Sequence, residues 1–191
     1  MLRLISLHSS GLPSSRYQVI PKILDIVSAR NPQSVLDIGP GFGKYGVLLR
    51  EYLELWDGRY EYSFKRRIDA IEVFPDYITA LHNFIYNNVY HGNVFDYVDM
   101  IDYRYDLVLL IDVLEHFDFP MGKKLLKKLL QKHKAVIVST PKDPKTQYDL
   151  FGNVYETHRS RWTREELAEL ATAAFQDDDS QIIVLLSYCL P

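Results

Sequence analysis

The chain has 191 residues, of which 47% are hydrophobic and 25% are charged, and its formal net charge is −3 at pH 7. These values are those of an ordinary globular domain with a full core, and they lack the strongly basic balance typical of nucleic-acid-binding proteins. A single cysteine, Cys189, excludes a disulfide framework, and no apolar run is long enough to cross a membrane, so we expect one cytoplasmic domain over residues 1–191 with no membrane partner.

The first half of the chain alternates predicted helices and strands. Residues 1–15 are polar and contain a glycine and a proline, and we expect them to form an arm or lid on a core made of residues 16–191. Ile20, Ile23 and Val27 recur at the spacing of one helix face. The elements predicted in this half are, in order, helix 17–30, strand 35–38, helix 44–55, strand 68–73, helix 75–86 and strand 89–93.

The second half continues the alternation. Residues 105–111 are almost continuously apolar, which is typical of a central strand buried on both faces. Residues 141–161 form a long connection without clear periodicity, and long loops in compact domains often carry function. The elements predicted here are strand 105–111, helix 121–132, strand 135–139, helix 163–174 and strand 181–188. The whole pattern predicts an α/β fold with a Rossmann-like parallel sheet of about six strands and helices on both faces.

A glycine-rich loop follows the first predicted strand. Residues 35–43 read Val-Leu-Asp-Ile-Gly-Pro-Gly-Phe-Gly, and such a loop brings bare backbone against a ligand because glycine has no Cβ. Gly41, Gly43 and Gly46 also match the G-x-G-x-x-G pattern of dinucleotide sites. We reject a dinucleotide because the carboxylate of Asp37, where the loop leaves the strand, would repel a pyrophosphate. It suits a cationic ligand such as S-adenosylmethionine, which carries an ammonium and a sulfonium.

Polar side chains also end the next three strands. The second strand ends near Glu72, the third at Asn93, and Asp112 follows the fourth. Because ligands of open α/β sheets bind outside the carboxyl ends of the strands, these side chains and the glycine loop should meet at one edge. A carboxylate at Glu72 can accept hydrogen bonds from both hydroxyls of a ribose.

Residues 17–175 resemble the small-molecule branch of the class I S-adenosylmethionine-dependent methyltransferases. The stretch from Asp37 to Gly43 is similar to motif I of that family, Gly92-Asn93-Val94 to motif III, and the stretch from Asp112 to His116, with its Leu-Glu-His tail, to motif IV. The resemblance implies that the glycine loop holds the methionine end of the cofactor, that Glu72 holds its ribose, and that Asn93 accepts a hydrogen bond from its adenine. The residues implied in cofactor binding are Asp37, Gly39, Pro40, Gly41, Gly43, Glu72, Val73, Phe74, Asn93, Val94 and Asp112.

The resemblance also points to catalytic candidates. Methyl transfer to a hydroxyl needs a base, and Glu115 and His116 are the residues we predict for catalysis. Two other interpretations stay open. Glu115 and His116 can simply make backbone and packing contacts at a helix start, or they can join Asp112 and the distant His158 around a divalent metal, as in some methyltransferases that act on catechol-like rings or RNA 2′-hydroxyls.

We therefore expect an S-adenosylmethionine-dependent methyltransferase that acts on a small-molecule acceptor. One alternative is a nucleic-acid methyltransferase that uses the basic stretches 65–67 and 123–132, although we do not expect nucleic acid as the partner. The other is a module that binds S-adenosylmethionine and transfers nothing. We also expect a sheet that lacks the family's closing strand pair, or one whose edge a partner covers. The oligomeric state stays open.

Overall fold

The computed structural model describes residues 14–60, 63–150 and 152–188. Seven strands form one sheet in the order β3-β2-β1-β4-β5-β7-β6. The strands are β1 (Ser34–Ile38), β2 (Arg67–Glu72), β3 (Asn88–His91), β4 (Leu107–Ile111), β5 (Val136–Pro141), β6 (Thr172–Phe175) and β7 (Gln181–Ser187). The helices are α1 (Ile20–Arg30), α2 (Lys44–Leu53), α3 (Ala80–Ile85), α4 (Val94–Tyr97), α5 (Phe119–Lys132) and α6 (Arg164–Ala168).

The first five strands are parallel, which confirms the predicted α/β fold. β1 lies between β2 and β4, with Asp37 opposite Ala70 on one side and Leu109 on the other. Every residue of β1 and β4 is buried, as expected for central strands covered on both faces. This arrangement brings the carboxyl ends of β1, β2 and β4 to one edge of the sheet.

Two hydrophobic cores lie on the two faces of the sheet. One contains the leucines of α5, which are fully or almost fully buried, together with Trp162 and Tyr105. The other contains apolar residues of α1 and α2. The lysines of α5 lie on the opposite side of that helix from its leucines, so the amphipathic pattern read from the sequence is the packing that forms.

The C-terminal part of the sheet differs from the prediction. A capping box from Thr163 to Glu166 does begin a helix, but α6 ends at Ala168 and not at residue 174. The following residues form β6, which pairs antiparallel with β7, and β7 pairs antiparallel with β5. The closing strand pair is therefore present, so the expectation of a sheet without that pair was wrong, and the sheet has seven strands where about six were predicted. A strand of four residues exists here because β7 supplies its hydrogen-bond partners.

The region after β2 also differs in detail. The predicted helix 75–86 is split into a 3₁₀ turn, Pro75–Tyr77, and the short helix α3. The helix α4 was not predicted. The predicted arm lies outside the described residues except for Ser14 and Ser15, which line the cavity described below. Among the described residues, no helix has the length and apolarity needed to cross a membrane.

Candidate active site

A cavity of about 1290 Å³ opens at the carboxyl ends of the parallel strands. Its wall is formed by the glycine loop after β1, the ends of β2 and β4, and the long connection after β5. Of the residues predicted from the sequence, those that line it are Gly39, Pro40, Gly41, Glu72, Val73, Asn93, Val94, Asp112, Glu115, His116 and His158. The strand ends therefore do meet at one edge, as the sequence predicted.

The glycine loop has a backbone that other residues adopt with difficulty. Gly39, Gly41 and Gly43 have φ angles of 68°, 55° and 84°, in the left-handed region. A Cβ on Gly39 would also lie 2.6 Å from Cγ2 of Val113. The Gly39 N–H donates to the Ile71 carbonyl at 2.9 Å, which ties the loop to the end of β2. The loop is thus a fixed turn with exposed backbone.

Glu72 is held by the backbone around it. Its Oε2 accepts the Gly41 N–H at 3.1 Å and its Oε1 accepts the Phe74 N–H at 2.9 Å. Burial raises the pKa of Glu72 to about 7, because the loss of water outweighs these hydrogen bonds. Each carboxylate oxygen keeps a lone pair for another donor. The side chain is therefore fixed and able to accept two hydroxyl groups.

Asp37 does not reach the cavity wall. Its carboxylate is almost fully buried behind the loop, where its Oδ2 accepts the Tyr86 hydroxyl at 2.6 Å. Burial raises the pKa of Asp37 to about 6, and the Tyr86 hydrogen bond opposes this. The structure thus gives Asp37 a hydrogen-bond donor, Tyr86, that the sequence did not reveal.

Two other residues predicted to bind the cofactor also lie off the wall. Gly43 is the last glycine of the loop and the N-cap residue of α2. The ring of Phe74 packs edge-on against Tyr77, with ring centroids 5.0 Å apart, and it is Tyr77 that lines the cavity. Sequence alone could not distinguish these neighbouring aromatic residues.

Asn93 and Asp112 stand on opposite sides of the glycine loop. The side-chain oxygen of Asn93 caps α4 by accepting the Phe95 N–H at 3.0 Å, and one lone pair of that oxygen remains free. Asp112 has a φ of 52°, a strained conformation for a residue with a Cβ. Burial raises its pKa to about 7, while Ser139, Lys44 and Arg16 oppose the shift.

Glu115, His116 and His158 form a cluster in the wall of the same cavity. One ligand atom from each of the three side chains lies within 4.8 Å of the others. Asp112, which the sequence placed with them, is not part of this group. Glu115 is buried, and its Oε2 accepts the Thr140 hydroxyl at 3.1 Å. The long connection after β5 therefore delivers His158 to the pair that follows β4.

The two histidines of this cluster each direct Nδ1 at a backbone carbonyl. Nδ1 of His116 lies 3.2 Å from the Thr157 carbonyl, and Nδ1 of His158 lies 2.7 Å from the Lys145 carbonyl. A carbonyl can only accept, so each Nδ1 carries a proton and each Nε2 of the neutral ring keeps a lone pair. Burial lowers the pKa of His116 to about 4, with a further contribution from the neighbouring His158. His116 is therefore neutral at physiological pH.

Among the residues in or behind the cavity wall that sequence reasoning missed, three make notable contacts. Tyr77 and Glu156 both line it, and the Tyr77 hydroxyl donates to Oε1 of Glu156 at 3.0 Å. His82 lies behind the glycine loop, with Nε2 2.8 Å from the Gly41 carbonyl. The only signal in the sequence was the length of the connection that contains Glu156.

Two of the three side chains of the basic stretch 65–67 make contacts within the fold. Arg66 is buried, and it donates to the carbonyls of Leu53 and Pro32, each at 2.7 Å. Arg67 is paired with Asp69 at 2.6 Å and lies over the ring of Tyr103. Arg66 immediately precedes β2 and Arg67 begins it, at the end of that strand away from the cavity. The side chains of Arg66 and Arg67 are thus occupied by contacts within the chain.

The comparison with family models identifies one family. Residues 14–174 match the family model described as a methyltransferase domain. No curated protein matches the sequence. Several solved structures share the fold at low identity. The methyltransferase domain of bacterial CtHen1 is 21% identical with a TM-score of 0.60, and the match covers 89% of this chain and 97% of that one.

Two further structures are similar. The DhpI–SAH complex is 16% identical with a TM-score of 0.63, over 88% of this chain and 83% of that one. An O-methyltransferase family protein from Burkholderia thailandensis is 14% identical with a TM-score of 0.60, over 89% of this chain. The chain spans 56% of the length of that protein. With 161 of its residues matched to the family model, counted from 14 to 174, the chain belongs to the methyltransferase domain family, of the class I type that uses S-adenosylmethionine.

Proposed function

We propose that this protein transfers the methyl group of S-adenosylmethionine to a hydroxyl of a small-molecule acceptor. The observation that carries the proposal is that the glycine loop with Glu72 and the Glu115, His116 and His158 cluster line the same cavity. Its volume of about 1290 Å³ exceeds the roughly 300–1,000 Å³ typical of a site for one ligand. Cofactor and acceptor therefore have room side by side.

The residues present fit the cofactor. The glycine loop exposes backbone to the cavity, and Glu72 has two oxygens available for the ribose hydroxyls. Asn93 keeps a lone pair for the adenine amino group, and Asp112 offers a carboxyl group on the other side of the glycine loop, near the methionine end. When bound, S-adenosylmethionine supplies an electrophilic methyl group, so the protein has to orient the acceptor in line and remove its proton.

In this proposal the acceptor hydroxyl binds beside the cluster of Glu115, His116 and His158. A general base works best with a pKa near the operating pH, and the pKa of His116, about 4, lies well below it. The Nε2 atoms of His116 and His158, beside the Glu115 side chain, favour a second way to activate a hydroxyl. They match the mixed imidazole and carboxylate ligation of a divalent metal, with each Nδ1–H fixed by a backbone carbonyl. A metal there would acidify the hydroxyl directly.

The experiment starts with binding. Calorimetry should detect S-adenosylhomocysteine, whereas NAD should give no signal. Purified protein is then incubated with S-adenosylmethionine and a panel of hydroxyl, amine and acid acceptors, and release of S-adenosylhomocysteine is measured. Tight NAD binding without S-adenosylhomocysteine binding would refute the proposal. Cofactor binding without turnover on any acceptor would support the non-catalytic alternative.

The metal is tested separately from turnover. Calorimetric titration with Mn²⁺ should show one site in the wild type and none in His158→Ala. His91→Ala is the matched control, because His91 is an exposed histidine at the end of β3. Equal binding by the wild type and both variants would show that the cluster does not hold the metal. An acceptor activity that is lost with a chelator and restored by Mn²⁺ would link the ion to the reaction.

A further inference from the structure

Both backbone polar groups of Gly41, at the centre of the glycine loop, are bonded to side chains. Its N–H donates to Oε2 of Glu72 at 3.1 Å, and its carbonyl lies 2.8 Å from Nε2 of His82. Gly41 has a φ of 55°. An unconstrained glycine would also adopt many other backbone conformations. Two side chains from different elements therefore fix Gly41, which is one of the loop residues that line the cavity.

The tautomer of His82 follows from its other partner. The Thr79 N–H lies 3.1 Å from Nδ1 of His82, and a backbone N–H can only donate. Nδ1 is therefore the acceptor, the proton of the neutral ring is on Nε2, and Nε2–H donates to the Gly41 carbonyl. One ring thus caps α3 and bonds the glycine loop at the same time.

His82 acts from behind the loop. It is fully buried and does not line the cavity, so it cannot touch a ligand there. A Cβ on Gly43 would lie 3.6 Å from Nε2 of His82 and 3.1 Å from Cδ1 of Ile85, so α3 packs directly against the loop. The hydrogen bond to the Gly41 carbonyl is the direct polar link between the ring and the cavity wall.

We propose that His82 is a positioning residue for cofactor binding. It holds Gly41 in the conformation that points the Gly41 N–H at Glu72, and the Glu72 carboxylate is thereby oriented toward the ribose hydroxyls. This inference rests on the proposed function, because it assumes that Glu72 binds the cofactor. It assigns to α3 a role in affinity that no direct contact would reveal.

A pair of substitutions separates positioning from stability. In His82→Gln the amide nitrogen takes the place of Nε2 and can donate to the Gly41 carbonyl, but the Thr79 N–H loses its acceptor. In His82→Asn the amide oxygen takes the place of Nδ1 and keeps the Thr79 bond, but the Gly41 bond is lost. Each variant loses one buried hydrogen bond, so we expect both melting temperatures to fall by similar amounts.

The affinity for S-adenosylhomocysteine should distinguish the two variants. We expect the dissociation constant, measured by calorimetry, to rise about 3–10-fold in His82→Asn and less than about 2-fold in His82→Gln. Equal affinities in the two variants, or a weaker His82→Gln, would overturn the proposal. A wild type that does not bind S-adenosylhomocysteine would instead refute the proposed function itself.

A measurement on the wild type covers the case in which a variant fails to fold. Nitrogen-15 NMR of the histidine rings should show His82 with its proton on Nε2, and the Nε2 resonance should shift on titration with S-adenosylhomocysteine. The shift should saturate with the calorimetric dissociation constant. A proton on Nδ1, or an Nε2 resonance that does not shift when S-adenosylhomocysteine is added, would overturn the proposal that His82 is a positioning residue.

Discussion

Burial changes the protonation of a single side chain, Glu72, in the proposed cofactor site. In that proposal ribose hydroxyls donate to the ionised Glu72 carboxylate, and the pKa of Glu72 is raised to about 7 in the free protein. Below that pH the group has to lose a proton before it can accept both hydroxyls. The affinity for the cofactor product should therefore depend on pH.

We expect the dissociation constant of S-adenosylhomocysteine to rise by about tenfold per pH unit below pH 7. Calorimetry at pH 5.5, 6.5 and 8 measures it. Glu72→Ala should weaken binding at pH 8 by the roughly 1.5–3 kcal/mol of a hydrogen bond to a charged group, without unfolding the domain. Glu72→Gln, which cannot titrate, should show a flatter pH profile. An unchanged dissociation constant in Glu72→Ala would make Glu72 only a strand-end acid.

The roles of His116 are separable at the same scale. As a metal ligand or base it should be needed for turnover and not for cofactor binding. With an acceptor in hand, His116→Ala should lower kcat by on the order of 10²–10⁴-fold and leave the S-adenosylhomocysteine dissociation constant nearly unchanged. A variant with normal kcat and a lower melting temperature would show that His116 merely packs against the chain.

At the scale of elements, α2 and α3 meet through a glycine. Gly46 lies inside α2, where an Ala would normally stabilise the helix by about 1 kcal/mol. A Cβ there would lie 2.4 Å from Cζ of Tyr86 and 2.8 Å from Cδ1 of Ile85. Tyr86 has no room to move, because it is buried and bonded to Asp37. The third glycine of the G-x-G-x-x-G pattern thus serves packing, and no phosphate is needed to explain it.

We expect Gly46→Ala to lower the free energy of unfolding by about 1–3 kcal/mol, in spite of the higher helix propensity of alanine. Urea unfolding measures this change. Val47→Ala is the matched control, since Val47 is the next residue of the same helix and is 41% exposed. A neutral or stabilising Gly46→Ala would mean that Tyr86 can leave its place beside Asp37.

At the scale of the whole molecule, buried carboxyls make stability depend on pH. The pKa values of Asp37, Glu72 and Asp112 are raised to about 6, 7 and 7, so each holds its proton longer in the folded state than in the unfolded chain. These three carboxyl groups stabilise the folded state at low pH, and this stabilisation is lost as the pH rises from about 4 to about 7. The pKa values of His116 and His133 are lowered to about 4 in the folded state. These two rings therefore destabilise the fold below pH 6.5, and their effect on stability runs opposite to that of the carboxyl groups.

The carboxyls outnumber the histidines, so the free energy of unfolding should fall between pH 5 and pH 7.5. Urea unfolding of the ligand-free protein at both values measures the fall. Glu72→Gln should reduce it by on the order of 1–3 kcal/mol, because one raised pKa is removed. A fall of equal size in Glu72→Gln and in the wild type would argue against proton uptake at Glu72.

The local order of the chain was largely readable from the sequence. Strand β4 was predictable because a continuous apolar run needs burial on both faces, and the glycine loop because a left-handed backbone needs glycine. Parallel strands then place Glu72, Asn93 and Asp112 at one edge whatever the details of packing. The resemblance to methyltransferases followed from the same residues.

Only the tertiary structure decided which side chains reach the cavity and what stands behind them. Strand β6 depends on pairing with β7, so local sequence predicted a helix there. Asp37 turns toward Tyr86, 49 positions away, and His82 reaches Gly41 across 41 positions. Such contacts depend on how the helices pack on the sheet, so the periodicity and spacing of residues in the sequence cannot predict them. Burial, which raises or lowers the pKa of each group in the site, is likewise a property of the packed molecule and not of the chain.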